Sequence, residues 1–347
     1  MSATTYIVKP VICETPIKKA LSSQPTFMEY VREDLEAVEE VMHSELKSDV
    51  RLIYDLSEHL LRAGGKRLRP AMVALAARAV NPNMSRERIG RVGAAVELVH
   101  MATLVHDDVV DNTATRRGKP TANAIFGNGA AVLSGDYILA RALQLLTSDG
   151  DLKIIRNAVE LTSQMVEGEV MEIGVTGNAY LPTDQYMEIL RKKTAVFVEG
   201  CCKCGAILGG ADEKTEAIMG DYGYRLGMAF QLADDLLDYI GDPKITGKPR
   251  GSDLRDGRPT LPFLIAMREC SLQEKSELMG AFGNYELTDD GVLEINVILS
   301  KYDAFDRTRE AARQHVEKSE IAINCLPPSK SKECFQELTD FVIQRDR

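Results

Sequence analysis

Five histidines, at 43, 59, 100, 106 and 315, leave the seven cysteines without partners at ligand spacing, which excludes a zinc site built from both. The cysteine count is odd, and three of them crowd together as Cys201, Cys202 and Cys204. No disulfide framework is expected in so long a chain; reduced thiols in a cytoplasmic setting fit better, and the cluster reads as small core residues on a helix. No apolar run reaches the length of a membrane span. Basic charge is in deficit, 42 Lys and Arg against 52 Asp and Glu, and the net charge of −10 argues against nucleic acid as the main partner. An acidic protein that handles an anionic ligand then needs local cations. The first 25 residues contain no apolar stretch of the secretory type and no Arg, and Glu14 and Glu29 oppose a transit peptide. With Pro10, Pro16 and Pro25 and no sustained period, residues 1–25 read as a mobile arm.

Strand-type alternation is also missing, and there is no internal repeat, so the expectation is all-α. A hydrophobic content of 44% in 347 residues is ample for one large domain, placed at residues 26–347. A helix from Thr26 carries Phe27, Val31, Leu35, Val38 and Met42 on one stripe. Others are expected near 50–62, 86–111, 130–146, 152–173, 185–208 with Thr183 as N-cap, and 213–239. Residues 241–262 form a long loop rich in Gly, Pro, Lys and Arg, of a length that is usually functional. Residues 263–347 read as helices broken near Asn284, Thr288 and Pro327-Pro328.

What is present in excess is acidic pairs. Asp107, Asp108 and Asp111 stand at i, i+1 and i+4, so on a helix three carboxylates share little more than a quarter of the circumference, at the end of an apolar run. Such a cluster repels itself at the helix end that already disfavours negative charge. A divalent cation relieves it, and all-oxygen ligation suits magnesium, which is held by one or two carboxylates together with phosphates. Arg116, Arg117 and Lys119 follow around Gly118, fixed positive groups suited to phosphate oxygens. One acidic pair is far more often a solvated face. The spacing recurs, however, in Asp234, Asp235 and Asp238, again closing an apolar run. Two triads facing each other across a cavity would clamp several magnesium ions on a diphosphate.

A second basic cluster lies in Gly64-Gly65-Lys66-Arg67-Leu68-Arg69-Pro70. Paired glycines permit close backbone approach to a ligand, and Pro70 suits a first helical turn. The same residues also read as an ordinary helix C-cap followed by solvated charges. The helix over 86–111 is apolar nearly all round and so is buried. Its His100, seven residues before Asp107 on the same face, reads either as a satisfied core group or as part of the site.

These motifs, GGKRLRP, HDDVVD with RRGK, KTA, FQLADDLLD and GKPRGSDLRDGRPTLP, appear in the order that characterises the trans-isoprenyl diphosphate synthases, or polyprenyl synthetases, which the chain resembles from about Leu35 onward. The uninterrupted DDVVD spacing is most similar to the medium- and long-chain members. The resemblance implies a single helical bundle of the isoprenoid synthase type around a central cavity, acting as a homodimer. It implies that Asp107, Asp108, Asp111, Asp234, Asp235 and Asp238 bind magnesium and the allylic diphosphate. Lys66, Arg69, His100 and Arg117 match positions that hold isopentenyl diphosphate. Arg116, Lys193 and Lys248 match those that grip the allylic diphosphate, and Arg258 lies near a further basic position after a one-residue insertion. Thr194 and Gln231 match groups near the reacting carbons. The N-terminal arm and the final hundred residues match loosely.

The implied reaction condenses isopentenyl diphosphate with an allylic diphosphate, and the resemblance leaves room for peripheral membrane contact on product release. Beneath the first triad, Ala102 and Thr103, then Val99, then Val96 and Ala95, face the way of Asp107, and none is aromatic. No floor is therefore expected at fifteen carbons, and the product should be a longer all-trans polyprenyl diphosphate. A geranylgeranyl or farnesyl diphosphate synthase and a subunit of a heteromeric synthase are the alternatives. A class I terpene cyclase would leave Lys66, Arg69 and Arg117 unexplained, and a head-to-head prenyl synthase would leave the GGKRLRP loop so.

Overall fold

The computed structural model describes residues 25–116, 118–241 and 250–343; the arm up to residue 24, Arg117 and Lys248 lie outside the described residues. Helices α1 (Thr26–Tyr30), α2 (Arg32–Glu45), α3 (Arg51–Ala63) and α4 (Leu68–Val80) lead to the 25-residue α5 (Arg86–Val110). A two-residue antiparallel pair, β1 (Thr115–Arg116) and β2 (Lys119–Pro120), is followed by α6 (Ala122–Phe126), α7 (Asn128–Asp149), α8 (Leu152–Val175) and α9 (Thr183–Leu190). A π-helical turn, Arg191–Ala195, joins α9 to α10 (Val196–Gly209), and α11 (Glu213–Ile240) carries the second triad. Then come α12 (Ser252–Asp256), α13 (Leu261–Glu269), α14 (Leu272–Ala281), α15 (Asp289–Lys301), α16 (Ala304–Asn324) and α17 (Lys330–Ile343).

Capping chemistry explains most of the boundaries. Ser85, Asp151, Asp212 and Thr288 each accept a backbone N–H in the first turn of α5, α8, α11 and α15, and Ser271 with Glu274 forms a capping box on α14. Gly150 and Gly210 end α7 and α10 in the left-handed conformation. The expected helix from Thr26 is instead interrupted at Val31, although Phe27, Val31, Val38 and Met42 of its stripe are buried and Leu35 is partly buried. At the start of α1 the Glu337 carboxylate of α17 accepts Thr26 N–H at 2.7 Å and Phe27 N–H at 2.8 Å, a cap supplied from far along the chain. Three other expectations change. Pro182, not Thr183, caps α9; the run over 185–208 is broken by the π turn; and the loop over 241–262 contains α12 and the first turn of α13.

Two apolar clusters carry the fold. One joins α2, α4, α5, α7, α8, α10 and the start of α11; the other joins α9, the second half of α11, α13, α15 and α16. Cys201, Cys202 and Cys204 sit fully buried in the first, and burial pushes their thiols up. They pack as small core residues. Among the described residues no helix is long and apolar enough to cross a membrane.

Candidate active site

The first triad ends α5, and its three carboxylates meet different surroundings. Asp108 is buried and accepts Arg116 Nε at 2.9 Å, the arginine being presented by β1. The turn that brings Arg116 back is held by Asn123, whose Nδ2 donates to the carbonyls of Asp108 and Thr113, and by Thr121, whose Oγ1 donates to Thr113. Lys119 points elsewhere: its Nζ donates to the Arg62 carbonyl at 2.7 Å and so caps the C-terminus of α3. Asp111 accepts Arg258 Nη2 at 2.8 Å. Asp107 is pushed up to about 7, first by burial, then by Glu169 and Asp111, against the opposing pull of Lys193 and Arg116. Desolvation disfavours the charged form, and here it outweighs the two cations.

On α11 the second triad is likewise divided. Asp234 is exposed, whereas Asp235 is buried and accepts Tyr186 OH at 2.6 Å on one oxygen and Gln231 Nε2 at 2.7 Å on the other. Asp238 accepts the N–H groups of Ser252 and Asp253 at 3.1 and 3.0 Å, so its carboxylate sits on the N-terminus of α12, where backbone donors and dipole favour it. Arg258, just beyond α12, then reaches the first triad through Asp111 and lies within 4 Å of Asp253 and Asp256. Arg258 thus ties the segment just after α12, the helix on whose N-terminus Asp238 sits, to Asp111 of the first triad.

Lys193 and Thr194 belong to the π turn. Such turns add a residue to a helix and recur at functional sites. Here two glycines make room for it: a Cβ on Gly168 of α8 would come within 2.6 Å of Lys193 N, and one on Gly227 of α11 within 2.6 Å of Ala195 Cα. Burial works against the charge of Lys193, but Glu172 and Glu169, the latter at 3.0 Å, more than offset it and raise its pKa. Thr194 Oγ1 donates to Gln231 Oε1 at 2.8 Å. Sequence reasoning missed Glu169, Glu172 and Tyr186. The two glutamates stand three residues apart on one face of α8, but the helix carries other charged residues and nothing local said that this face meets Lys193.

The basic loop before α4 is sorted by its backbone. Arg67 takes φ 50 and ψ 33, a left-handed conformation that is costly for a residue with a side chain, and its guanidinium turns inward to Glu39 and to buried Glu97, at 2.5 and 2.9 Å. Glu97 is 4% exposed, so this ion pair is a structural one. Arg69 lies over the Phe197 ring at 5.2 Å, and His100 packs on the same ring at 6.0 Å. Lys66 Nζ lies 5.5 Å from the Phe341 ring centroid. Arg69 and His100, separate in sequence, are therefore brought together on α10. Below the first triad, Val99 and Ala102 are buried, and Thr103 Oγ1 donates to the His100 carbonyl at 2.9 Å.

Among the described residues no three His, Cys, Asp or Glu side chains converge closely enough to hold an ion unaided. The donor set still fits a hard divalent cation. Its groups are carboxylates, Asp107 is raised first by burial and then by Glu169 and Asp111, and such ions are commonly completed by substrate phosphates and water.

The polyprenyl synthetase family pattern matches residues 50–297. The octaprenyl diphosphate synthase of Escherichia coli is 38% identical over 321 residues, 92% of this chain and 98% of that protein. Among solved structures, a decaprenyl diphosphate synthase from Rhodobacter capsulatus aligns with a TM-score of 0.87 at 33% identity, over 93% of this chain and 99% of that one. A polyprenyl synthase from Caulobacter crescentus, complexed with calcium and isoprenyl diphosphate, aligns with a TM-score of 0.87 at 35% identity, over 92% of this chain and 97% of that one. Ordered motifs, an all-α fold, two acidic triads joined through Arg258 and relatives matched end to end have one common account: this chain belongs to the polyprenyl synthetase family and is a prenyltransferase of the diphosphate synthase type.

Proposed function

We propose that this protein is a magnesium-dependent homodimer that condenses isopentenyl diphosphate with an allylic diphosphate to an all-trans polyprenyl diphosphate longer than fifteen carbons. The observation that carries the reading is the Arg258 to Asp111 contact, which sets the second triad's loop against the first triad. Asp107, Asp108, Asp111 and Asp234 would hold magnesium, with Asp235 and Asp238 behind them. Bound there, magnesium supplies electrostatic stabilisation of a departing diphosphate. Arg116, Lys193, Lys248 and Arg258 grip the allylic diphosphate and stabilise charge as the carbon to oxygen bond breaks. Lys66, Arg69, His100 and Arg117 hold isopentenyl diphosphate so that its double bond attacks the allylic cation, and a proton then leaves to the released diphosphate. Thr194 and Gln231 lie beside the reacting carbons, and the apolar wall formed by Val99, Ala102 and Thr103 excludes the water that would quench the cation.

The two basic sets give a direct test. Lys66→Ala is expected to raise KM for isopentenyl diphosphate far more than for the allylic primer, and Lys193→Ala to do the reverse. Steady-state kinetics with each substrate varied in turn measures both. Equal effects on the two substrates would show the role assignments to be wrong.

The dimer is supported by an apolar face left open to solvent. Leu152, Val159, Val166 and Ile173 recur every seven residues along α8 and are all exposed, with Val170 beside them and Leu133 of α7 at 69% exposure. A contiguous face of this kind calls for a partner surface, and a second copy buries it by two-fold symmetry. Light scattering at micromolar concentration is expected to give twice the chain mass. Val166→Glu together with Val170→Glu should lower it to the monomer, and a wild-type monomer would refute the homodimer.

A further inference from the structure

Tyr186, Asp235, Gln231 and Thr194 form one continuous hydrogen-bonded chain that starts in the core and ends at half-buried Thr194. Tyr186 is 3% exposed, packed in the second apolar cluster, and donates its hydroxyl to Asp235. Asp235, 6% exposed, takes its second donor from Gln231 one helical turn back on α11. Gln231 then accepts from Thr194 in the π turn. Burial pushes the Asp235 carboxyl up while its bonds from Tyr186 and Gln231 pull it down; ionised, it only accepts, so Gln231 turns its amide nitrogen to Asp235 and its carbonyl toward Thr194. The Thr194 proton is committed to that carbonyl, which leaves the lone pairs of Thr194 for a bound substrate. The direction of two dipoles in the site wall is therefore set by one buried carboxylate.

We infer that Asp235 is a positioning residue rather than a metal ligand, and that Tyr186 is the anchor that holds it. Its neighbour Asp234 is exposed, whereas both Asp235 oxygens are within hydrogen-bond distance of protein donors and removed from solvent. The consequence for the reaction, which rests on the function proposed above, is electrostatic. Positive charge develops on the allylic carbons, and a carbonyl oxygen with a hydroxyl lone pair presents the right end of each dipole to it without reorganisation. An inverted Gln231 amide would present N–H instead. The second triad thus divides its work: Asp234 faces the ion, Asp235 sets the cation-facing amide, and Asp238 holds α12.

Three variants and two measurements test this. In Tyr186→Phe, kcat should fall about tenfold, the factor for losing one hydrogen bond to a charged group, with both KM values and the magnesium requirement unchanged. Asp235→Asn should lose more, because Asn can donate to Gln231 and invert its amide. Calorimetric titration with magnesium and inorganic pyrophosphate, which needs no turnover, should give near wild-type affinity for both variants and a large loss for Asp234→Asn. A normal kcat in Tyr186→Phe, or an affinity loss in Asp235→Asn equal to that of Asp234→Asn, overturns the positioning role. A wild type that binds no magnesium pyrophosphate and forms no prenyl product overturns the proposed function instead.

Discussion

Asp107→Asn is expected to lower kcat by roughly a hundred- to a thousandfold, the range seen when one group that stabilises developing charge is removed, and at the same time to make the metal-free protein more stable at pH 8. The two effects share a cause. In the absence of an ion, Asp107 is half-buried, and desolvation followed by Glu169 and Asp111 pushes its carboxyl up to about 7. A carboxyl whose folded pKa exceeds its unfolded one holds its proton longer in the native state. Between about pH 4 and 7 the folded chain then binds more protons than the unfolded chain, so this residue removes stability as pH rises through that window. Asn does not titrate. In EDTA, the melting temperature of Asp107→Asn should match wild type near pH 4, rise above it through the window, and keep the gain above pH 7. Adding magnesium and pyrophosphate should reverse the order, since only wild type gains the ion's binding energy. The helical circular dichroism signal should be unchanged. A variant with near-normal rate at saturating magnesium would remove Asp107 from the metal site, and equal melting temperatures at pH 8 would show that its neighbours do not crowd it.

Ala102→Phe is expected to shorten the product. Ala102 is 1% exposed, one and a half turns below Asp107 on α5, with Val99 and Ala95 below it, all buried and none aromatic. If the growing tail runs down this face, each turn of about 5.4 Å accommodates roughly one five-carbon unit, and a phenyl ring at 102 blocks it near the fifteen-carbon stage. Overpacking would cost about 1 to 3 kcal/mol, so a melting curve must accompany the assay. Chromatography of products from labelled isopentenyl diphosphate should show wild type above fifteen carbons and the variant shifted to shorter chains. If wild type stops at fifteen, or if a folded, active Ala102→Phe gives the wild-type distribution, some other surface measures the chain.

By itself the sequence determined the features that repeat with a period or recur at a spacing. The buried α5, the stripe of Phe27, Val31, Val38 and Met42, the core cysteines of α10 and the twofold Asp triad all depend on neighbours within a few residues, which a linear chain displays. Only the tertiary structure decided how equal-looking residues differ. Arg67 stands in the same basic run as Lys66 and Arg69, yet it turns to Glu39 and Glu97, partners 28 and 30 residues away. Lys119 belongs to the same basic run as Arg116, which pairs with Asp108, but it caps α3 instead. The three acids of the second triad share one spacing, and Tyr186, open solvent and the N-terminus of α12 give them three environments. The physical reason is that ionic and hydrogen-bonding behaviour depends on burial and on donors within about 3 Å. Those donors come from helices that meet only when the chain has folded.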